Sequence, residues 1–287
     1  MKQLLILSGK GGTGKTTVAS AFIKLFNAKV YADCDIDAPN LHLVTKHENR
    51  PIISDYYGLP KASIDTNICI SCNKCIENCR FDAITSSPYY KVDQYACEGC
   101  GVCEFVCPVK AISLVQSVDG ELMLYSDNEK VFSTAQLKMG SGTSGMLVSE
   151  VKKQMKNEAI ETKLAIIDGS PGIGCPVIAS LSGVDMVLIV TEPSLSGISD
   201  MDRIIKTAQK FQVKIAVCVN KYDTNIEKTE KIEEFCEKNK INFAGKIPFD
   251  TAAIKAINSG MSIVDVDCIS KKAVEVIYKE VLDILFD

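Results

Sequence analysis

The tightest constraint on this chain is a repeated spacing. The pattern C-x-x-C-x-x-C-x-x-x-C occurs as Cys69, Cys72, Cys75 and Cys79 followed by Ala83-Ile84, and again as Cys97, Cys100, Cys103 and Cys107 followed by Ala111-Ile112. The offset is 28 residues throughout, so the 48 residues from Asp65 to Ile112 hold eight of the 13 cysteines in a 287-residue chain. The apolar start Leu4-Leu5-Ile6-Leu7 is too short for a signal-peptide core and runs straight into glycines. The chain therefore reads as cytoplasmic, where clustered cysteines serve metal binding or redox chemistry rather than disulfides. The shift in composition marks an inserted module at 61–115, with 1–60 and 116–287 forming the two parts of the surrounding unit.

Outside the insert, short apolar runs at 4–7, 29–32, 164–167, 186–190, 215–219 and 243–248 alternate with helical patterns at 16–26, 199–211, 226–239 and 270–285. Runs apolar at nearly every position suit parallel strands buried on both faces. The alternation predicts an α/β fold, a doubly wound and mostly parallel sheet. Residues 121–125 and 130–134 read as a hairpin around Ser126-Asp127-Asn128-Glu129. A net charge of −4 supplies no global basic field, and no run reaches the roughly 18 apolar residues of a membrane span. Neither nucleic acid nor a membrane is expected as a partner.

After the first strand comes Gly9-Lys10-Gly11-Gly12-Thr13-Gly14-Lys15-Thr16, which fits G-x-x-x-x-G-K-[ST] in the strand-to-helix setting the pattern requires. Glycines let backbone N–H groups curl around phosphate oxygens at a helix start, Lys15 reaches the β/γ-phosphates and Thr16 offers its hydroxyl to Mg²⁺, with Thr17 next in the phosphate-binding stretch. The early Lys10 makes the loop resemble the deviant Walker A motif, K-G-G-x-G-K-[ST], of the MinD/ParA and nitrogenase-iron-protein superfamily. Two further stretches match that family. Asp33-Cys34-Asp35-Ile36-Asp37-Ala38-Pro39-Asn40-Leu41 looks like its first switch segment, and Leu164 to Gly172, with Asp168 at the strand end, looks like Walker B and the second switch. The resemblance implies an ATPase that acts as a homodimer, or a dimer with a paralogue, in the nucleotide-bound state. Lys10 would cross to the partner's phosphates, Asp35 would orient the attacking water, and Asp168 would be an outer-shell Mg²⁺ ligand. Asn220 and Asp223 lie in N-K-x-D, which fits either the family's purine contact or the guanine-reading motif of GTPases. Ile247-Pro248-Phe249 resembles the family's second base-flanking loop, with Pro248 against the base.

The doubled cysteine pattern has the spacing of bacterial two-cluster ferredoxins, in which the fourth cysteine of each run ligates the other cluster. That resemblance implies two [4Fe-4S] clusters, one held by Cys69, Cys72, Cys75 and Cys107, the other by Cys97, Cys100, Cys103 and Cys79. Zinc is the competing occupant, though zinc ribbons use well-separated C-x-x-C pairs. Pro108 follows the second run, whereas Arg80 stands at that position in the first and is expected to alter the local turn or the potential. Cys175 follows Asp168 by seven residues, as does a cluster ligand in the nitrogenase iron protein, but the second cysteine that protein needs is missing from residues 140–145. The combined expectation is a Mg-ATP-driven dimer switch coupled to electron transfer toward a redox partner. The alternative is a carrier that inserts a cluster or metal into a client metalloprotein. A ParA-like positioning role ranks last, because the final helix lacks the basic face of a membrane-targeting helix.

Overall fold

The computed structural model describes residues 1–47 and 49–287. The chain opens with β1 (Lys2–Leu7), α1 (Lys15–Phe26), β2 (Val30–Asp33) and β3 (Ile52–Tyr57). The cysteine-rich stretch follows as β4 (Lys61–Ile64), α2 (Lys74–Asn78), β5 (Ile84–Thr85), β6 (Lys91–Val92), α3 (Val102–Val106) and β7 (Ile112–Val115). It returns through β8 (Val118–Ser126), β9 (Val131–Leu137), α4 (Ser144–Asn157), β10 (Leu164–Asp168), α5 (Cys175–Leu181) and β11 (Met186–Thr191). It closes with α6 (Leu195–Gln209), β12 (Lys214–Asn220), α7 (Ile226–Lys238), β13 (Asn242–Ile247), α8 (Thr251–Asn258) and α9 (Ile269–Phe286).

Nine strands form one sheet in the order β13-β12-β11-β1-β10-β2-β9-β8-β3. Pairing is parallel from β13 through β9 and antiparallel for β9-β8 and β8-β3. The unbroken apolar runs follow from burial on both faces. Along β1, Leu4 and Ile6 pack with Val18 and Phe22 of α1 and Val274, Ile277 and Val281 of α9. Leu5 and Leu7 point to the opposite layer, where Val151 and Met155 of α4, Val177 of α5, Ile204 of α6 and Ile232 of α7 cover the sheet.

The six sequence-predicted parallel strands are all present, with ends shifted by one or two residues. The expected hairpin is β8-β9, whose turn is pinned by the Asp127 carboxylate accepting the Glu129 and Lys130 N–H groups at 2.7 Å each. Helix α6 begins at Leu195, four residues before the expected 199, because the Ser194 hydroxyl caps the helix by accepting the Gly197 N–H at 3.0 Å. Strand β3 and helices α4, α5 and α8 were not apparent from periodicity. Strand β3 lies at the sheet edge with five of its six residues exposed, so it carries no apolar alternation.

The cysteine-rich stretch leaves the sheet at the β3-β8 ladder, where Tyr57 pairs with Val118, and a second antiparallel ladder begins at once, Lys61 opposite Val115. Beyond it lies a separate small core of Ala62, Ala83, Ile84, Ile112 and cysteine side chains. The 28-residue offset persists in the backbone: Ser71, Asn73 and Asp82 have positive φ, and so do Gly99, Gly101 and Lys110. Among the described residues, no helix is long and apolar enough to cross a membrane.

Phe22 is fully buried and meets Tyr278 edge-to-face at 5.4 Å, locking α1 to α9. Phe22→Ala should lower stability by about 3–5 kcal/mol, read as a fall in the urea midpoint with an unchanged m-value.

Candidate functional site

Three strand ends converge under the glycine loop. Gly12 and Gly14 have φ of 80° and 90°, and a Cβ on Gly14 would lie 2.2 Å from Asn220 Nδ2, so this turn admits only glycine there. The loop delivers Lys15 as the first residue of α1, where its ammonium donates to Asp168 Oδ1 at 2.5 Å and lies 3.9 Å from Asp35 Oδ2. The Thr16 hydroxyl donates to Asp168 Oδ2 at 2.6 Å, so the carboxylate ending β10 holds both groups. Thr13 contributes a buried hydroxyl with no partner among the described residues, an orphaned donor beside the phosphate loop.

Asp33, ending β2, is fully buried and accepts the N–H groups of Asp35, Asn40 and Leu41 at 3.0 Å each. It shapes the segment that displays Asp35, an organising role the sequence did not single out. Burial pushes the Asp33 carboxyl up to about 7, reinforced by Asp168 and opposed by Lys15. Burial likewise pushes Asp35 up to about 6, with Lys15 opposing and Asp168 reinforcing. For Lys15, burial disfavours the charge, but Asp168 and Asp33 outweigh it and raise its pKa. One ammonium thus faces three carboxylates. A triphosphate added to this set needs a divalent cation to offset the repulsion, and Mg²⁺ characteristically takes one or two carboxylates plus phosphate oxygens and water.

Two adjoining clefts flank the loop. The first, about 920 Å³, is lined by the glycine loop with Thr16, Thr17, Asp35 and Asn40. The second, about 410 Å³ and largely apolar, is lined by Thr17, Asn220, Pro248, Phe249, Ile254 and Ile257. A polar phosphate cradle opening into an apolar slot is the shape a nucleotide needs. Asn220 Nδ2 donates to the Thr13 carbonyl at 2.7 Å, and Pro248 contributes its carbonyl to the Ser270 hydroxyl at 3.2 Å. The Asp223 carboxylate already accepts the Phe249 N–H at 2.7 Å, fixing the 248–250 loop. Gly9 is wedged against α6, where a Cβ would lie 2.2 Å from Asp200 Cβ. Lys10 is held within its own chain by an ion pair with Glu192 and by a bond to the Ser196 hydroxyl at 3.2 Å. Glu192, not recognised from the sequence, sits one residue past the end of β11 in the same strand-then-acid pattern that marked Asp168.

The matches to known proteins agree with this geometry. The pattern of the CobQ/CobB/MinD/ParA nucleotide-binding domain covers residues 4–263. The chain belongs to that family. Its members are ATPases, and so is this chain. It is 30% identical to an uncharacterized protein of Methanocaldococcus jannaschii over 99% of this chain and 97% of that one. It is 24% identical to an iron-sulfur cluster carrier protein of Pyrococcus furiosus over 91% of this chain and 79% of that one. The septum site-determining protein MinD of Pyrococcus horikoshii, solved with Mg-ADP, shares the fold with a TM-score of 0.58 at 18% identity, over 98% of this chain and 95% of that one.

The eight cysteines line two small cavities in crossed sets. Cys69, Cys72, Cys75 and Cys107 wall one; Cys79, Cys97, Cys100 and Cys103 wall the other. Among the described residues, no three His, Cys, Asp or Glu side chains converge on a single ion. Four cysteines around each void are the donor set a cubane takes, in which each thiolate binds a different iron. Backbone N–H groups of Ala62 and Ala111 point at Cys97 Sγ and Cys107 Sγ, at 3.5 and 3.2 Å. Arg80 leaves the local turn unchanged: Cys79 has φ −78°, ψ 114°, and Cys107 has φ −74°, ψ 112°.

The raised Asp35 carboxyl has a signed consequence. Between about pH 4 and pH 6 the folded chain keeps a proton that the unfolded chain has released, so the contribution is fully present below about pH 4 and is lost as pH rises through about 6. Urea unfolding of the nucleotide-free chain across this window should show Asp35→Asn shedding about 1–3 kcal/mol of that pH dependence.

Proposed function

We propose that Mg-ATP binding and hydrolysis in a dimer of this chain gate electron transfer through two [4Fe-4S] clusters carried by residues 61–115. The observation that carries the reading is the pair of cysteine-walled cavities, whose crossed membership matches two-cluster ferredoxin ligation. When bound, such clusters supply one-electron redox chemistry.

At the nucleotide, the loop from Gly9 through Gly14, Gly11 included, offers its N–H groups to the phosphates. Lys15 would neutralise them, Thr16 and Asp168 would hold Mg²⁺, which supplies charge neutralisation when bound, and Asp35 would orient the attacking water. Thr17 flanks the phosphates, Asn220 and Pro248 line the base slot, and Asp223 stands outside that lining and braces the 248–250 loop. Release of Lys10 from Glu192 would free it to reach a partner's phosphates. The family's nucleotide is ATP, and engagement of Asp223 by the Phe249 N–H leaves that carboxylate poorly placed to read guanine.

A physical route between the two sites supports the coupling. The turn after Asp168 rests on the glycine loop's strand, with the Gly172 N–H donating to the Ser8 carbonyl at 2.9 Å, and it leads into α5 at Cys175. A Cβ on Gly145 would lie 3.2 Å from Cys175 Cβ, and one on Gly140 would lie 2.9 Å from the Tyr95 ring, two residues before Cys97. Residues 140–145 therefore touch both the second switch segment and the cysteine module.

The second reading, a carrier of clusters for a client metalloprotein, is favoured by the likeness to the cluster carrier of Pyrococcus furiosus. Anaerobic EPR during dithionite reduction separates the two. Gated transfer predicts two low-potential signals that Mg-ATP alters in the parent but not in Lys15→Ala, whose ATP hydrolysis should fall at least about 100-fold. Signals indifferent to Mg-ATP, with loss of iron to an apo-ferredoxin, would overturn gating in favour of the carrier.

A further inference from the structure

Lys61 is a buried cation without an anionic partner. It opens β4 at 6% exposure, its ammonium donates to the Cys97 carbonyl, and no ion pair joins it to a carboxylate among the described residues. Burying an ammonium against a neutral carbonyl alone is costly unless negative charge lies close by. The next residue, Ala62, donates its N–H to Cys97 Sγ, and Gln94 Nε2 fixes the Ala62 carbonyl at 3.2 Å, so the strand carrying Lys61 is held against this one cysteine. Through the Cys97 carbonyl the ammonium adjoins the cysteine set Cys79, Cys97, Cys100 and Cys103, whose thiolates would supply the negative charge if they held iron.

The other cavity has no counterpart. The offset of 28 residues aligns Asp65 with Asp93, whose carboxylates accept the N–H groups of Asn67 and Tyr95 at 2.9 Å each. The same offset aligns Lys61 with Tyr89, which is uncharged and 59% exposed. Lys74 and Lys110, beside the first cavity, are exposed and screened by water. The repeat is symmetric in its cysteines and asymmetric in its buried charge.

We infer that Lys61 raises the reduction potential of the cluster held by Cys79, Cys97, Cys100 and Cys103 above that of its neighbour, making it the place where a transferred electron comes to rest. The inference rests on the two-cluster reading above. Reduction adds one negative charge to a cluster, and a fixed cation nearby favours that form. If Cys79, Cys97, Cys100 and Cys103 hold a cluster, one electron from a reduced low-potential donor would end there, reoxidising the other cluster if it entered by that one. The loop of this cysteine set also carries Tyr95, which meets Gly140 in the segment that touches Cys175 at Gly145.

The test is a potentiometric EPR titration of the full-length, cluster-loaded chain, with Cys100→Ser identifying the signal of the cluster in question. Lys61→Met and Lys61→Gln should lower that cluster's reduction equilibrium at least tenfold, about 59 mV for a one-electron couple, and leave the other unmoved. Lys61→Arg should restore it, and Lys74→Met should shift neither. Because Gln keeps a donor for the Cys97 carbonyl, it separates charge from hydrogen bonding should Lys61→Met not load. Equal shifts of both clusters, no shift, or a parent-like Lys61→Gln would overturn the inference. Iron and sulfide content below two clusters in the parent would instead overturn the reading beneath it.

Discussion

The buried ammonium of Lys15 joins parts of the chain that are distant in sequence. It is presented by the turn between β1 and α1, it bonds the carboxylate ending β10, and it feels the carboxylate ending β2. In a parallel sheet these three ends lie side by side at one edge, where the topology leaves a crevice. Removing the ammonium would take away the charge that opposes the rise of the Asp33 carboxyl beside Asp168 and drive that buried pair to hold a proton, a larger cost than the loss of a surface ion pair. The two clefts, the segment that displays Asp35 and the turn after Asp168 all take their positions from this point.

Much of this was legible because the features obey local rules. The parallel strands betray themselves by apolar runs, the glycine loop by its spacing, and the cysteine repeat by its period. What the sequence hid depends on contacts made at a distance. Asp33 and Asp35 look alike on paper, yet one is sealed by three backbone N–H groups and the other faces the cleft. Glu192 shares the strand-then-acid pattern of Asp168, but its role shows only once Lys10 and α6 are folded against it. Strand β3 lacks periodicity because its neighbour on one side is solvent. Arg80 was expected to alter its turn or the potential; the turn is unchanged, since Cys79 and Cys107 share their dihedrals although only the second is followed by a proline.

The first half of the cysteine repeat places Ser71 and Asn73 where the second uses Gly99 and Gly101. Left-handed backbone costs a serine more than a glycine, so the first run holds this shape against a local preference that the second run does not oppose. The helices inside this stretch are only five residues long, and each turns one buried cysteine, Cys75 or Cys103, into the small core.

The cysteine-rich stretch leaves and re-enters the sheet through two antiparallel neighbours at its margin, Tyr57 facing Val118. In topological terms it is the overgrown tip of a hairpin. Its two ends lie about one strand spacing apart, roughly 4.8 Å, whatever is hung between them. The closure entropy that the nucleotide-binding sheet bears is therefore that of one long surface loop, which grows only logarithmically with length. No parallel strand is interrupted, so the ATPase core can complete its pairing whatever the cysteine-rich stretch does. A lineage could add or discard that whole stretch with little cost to the sheet that carries it.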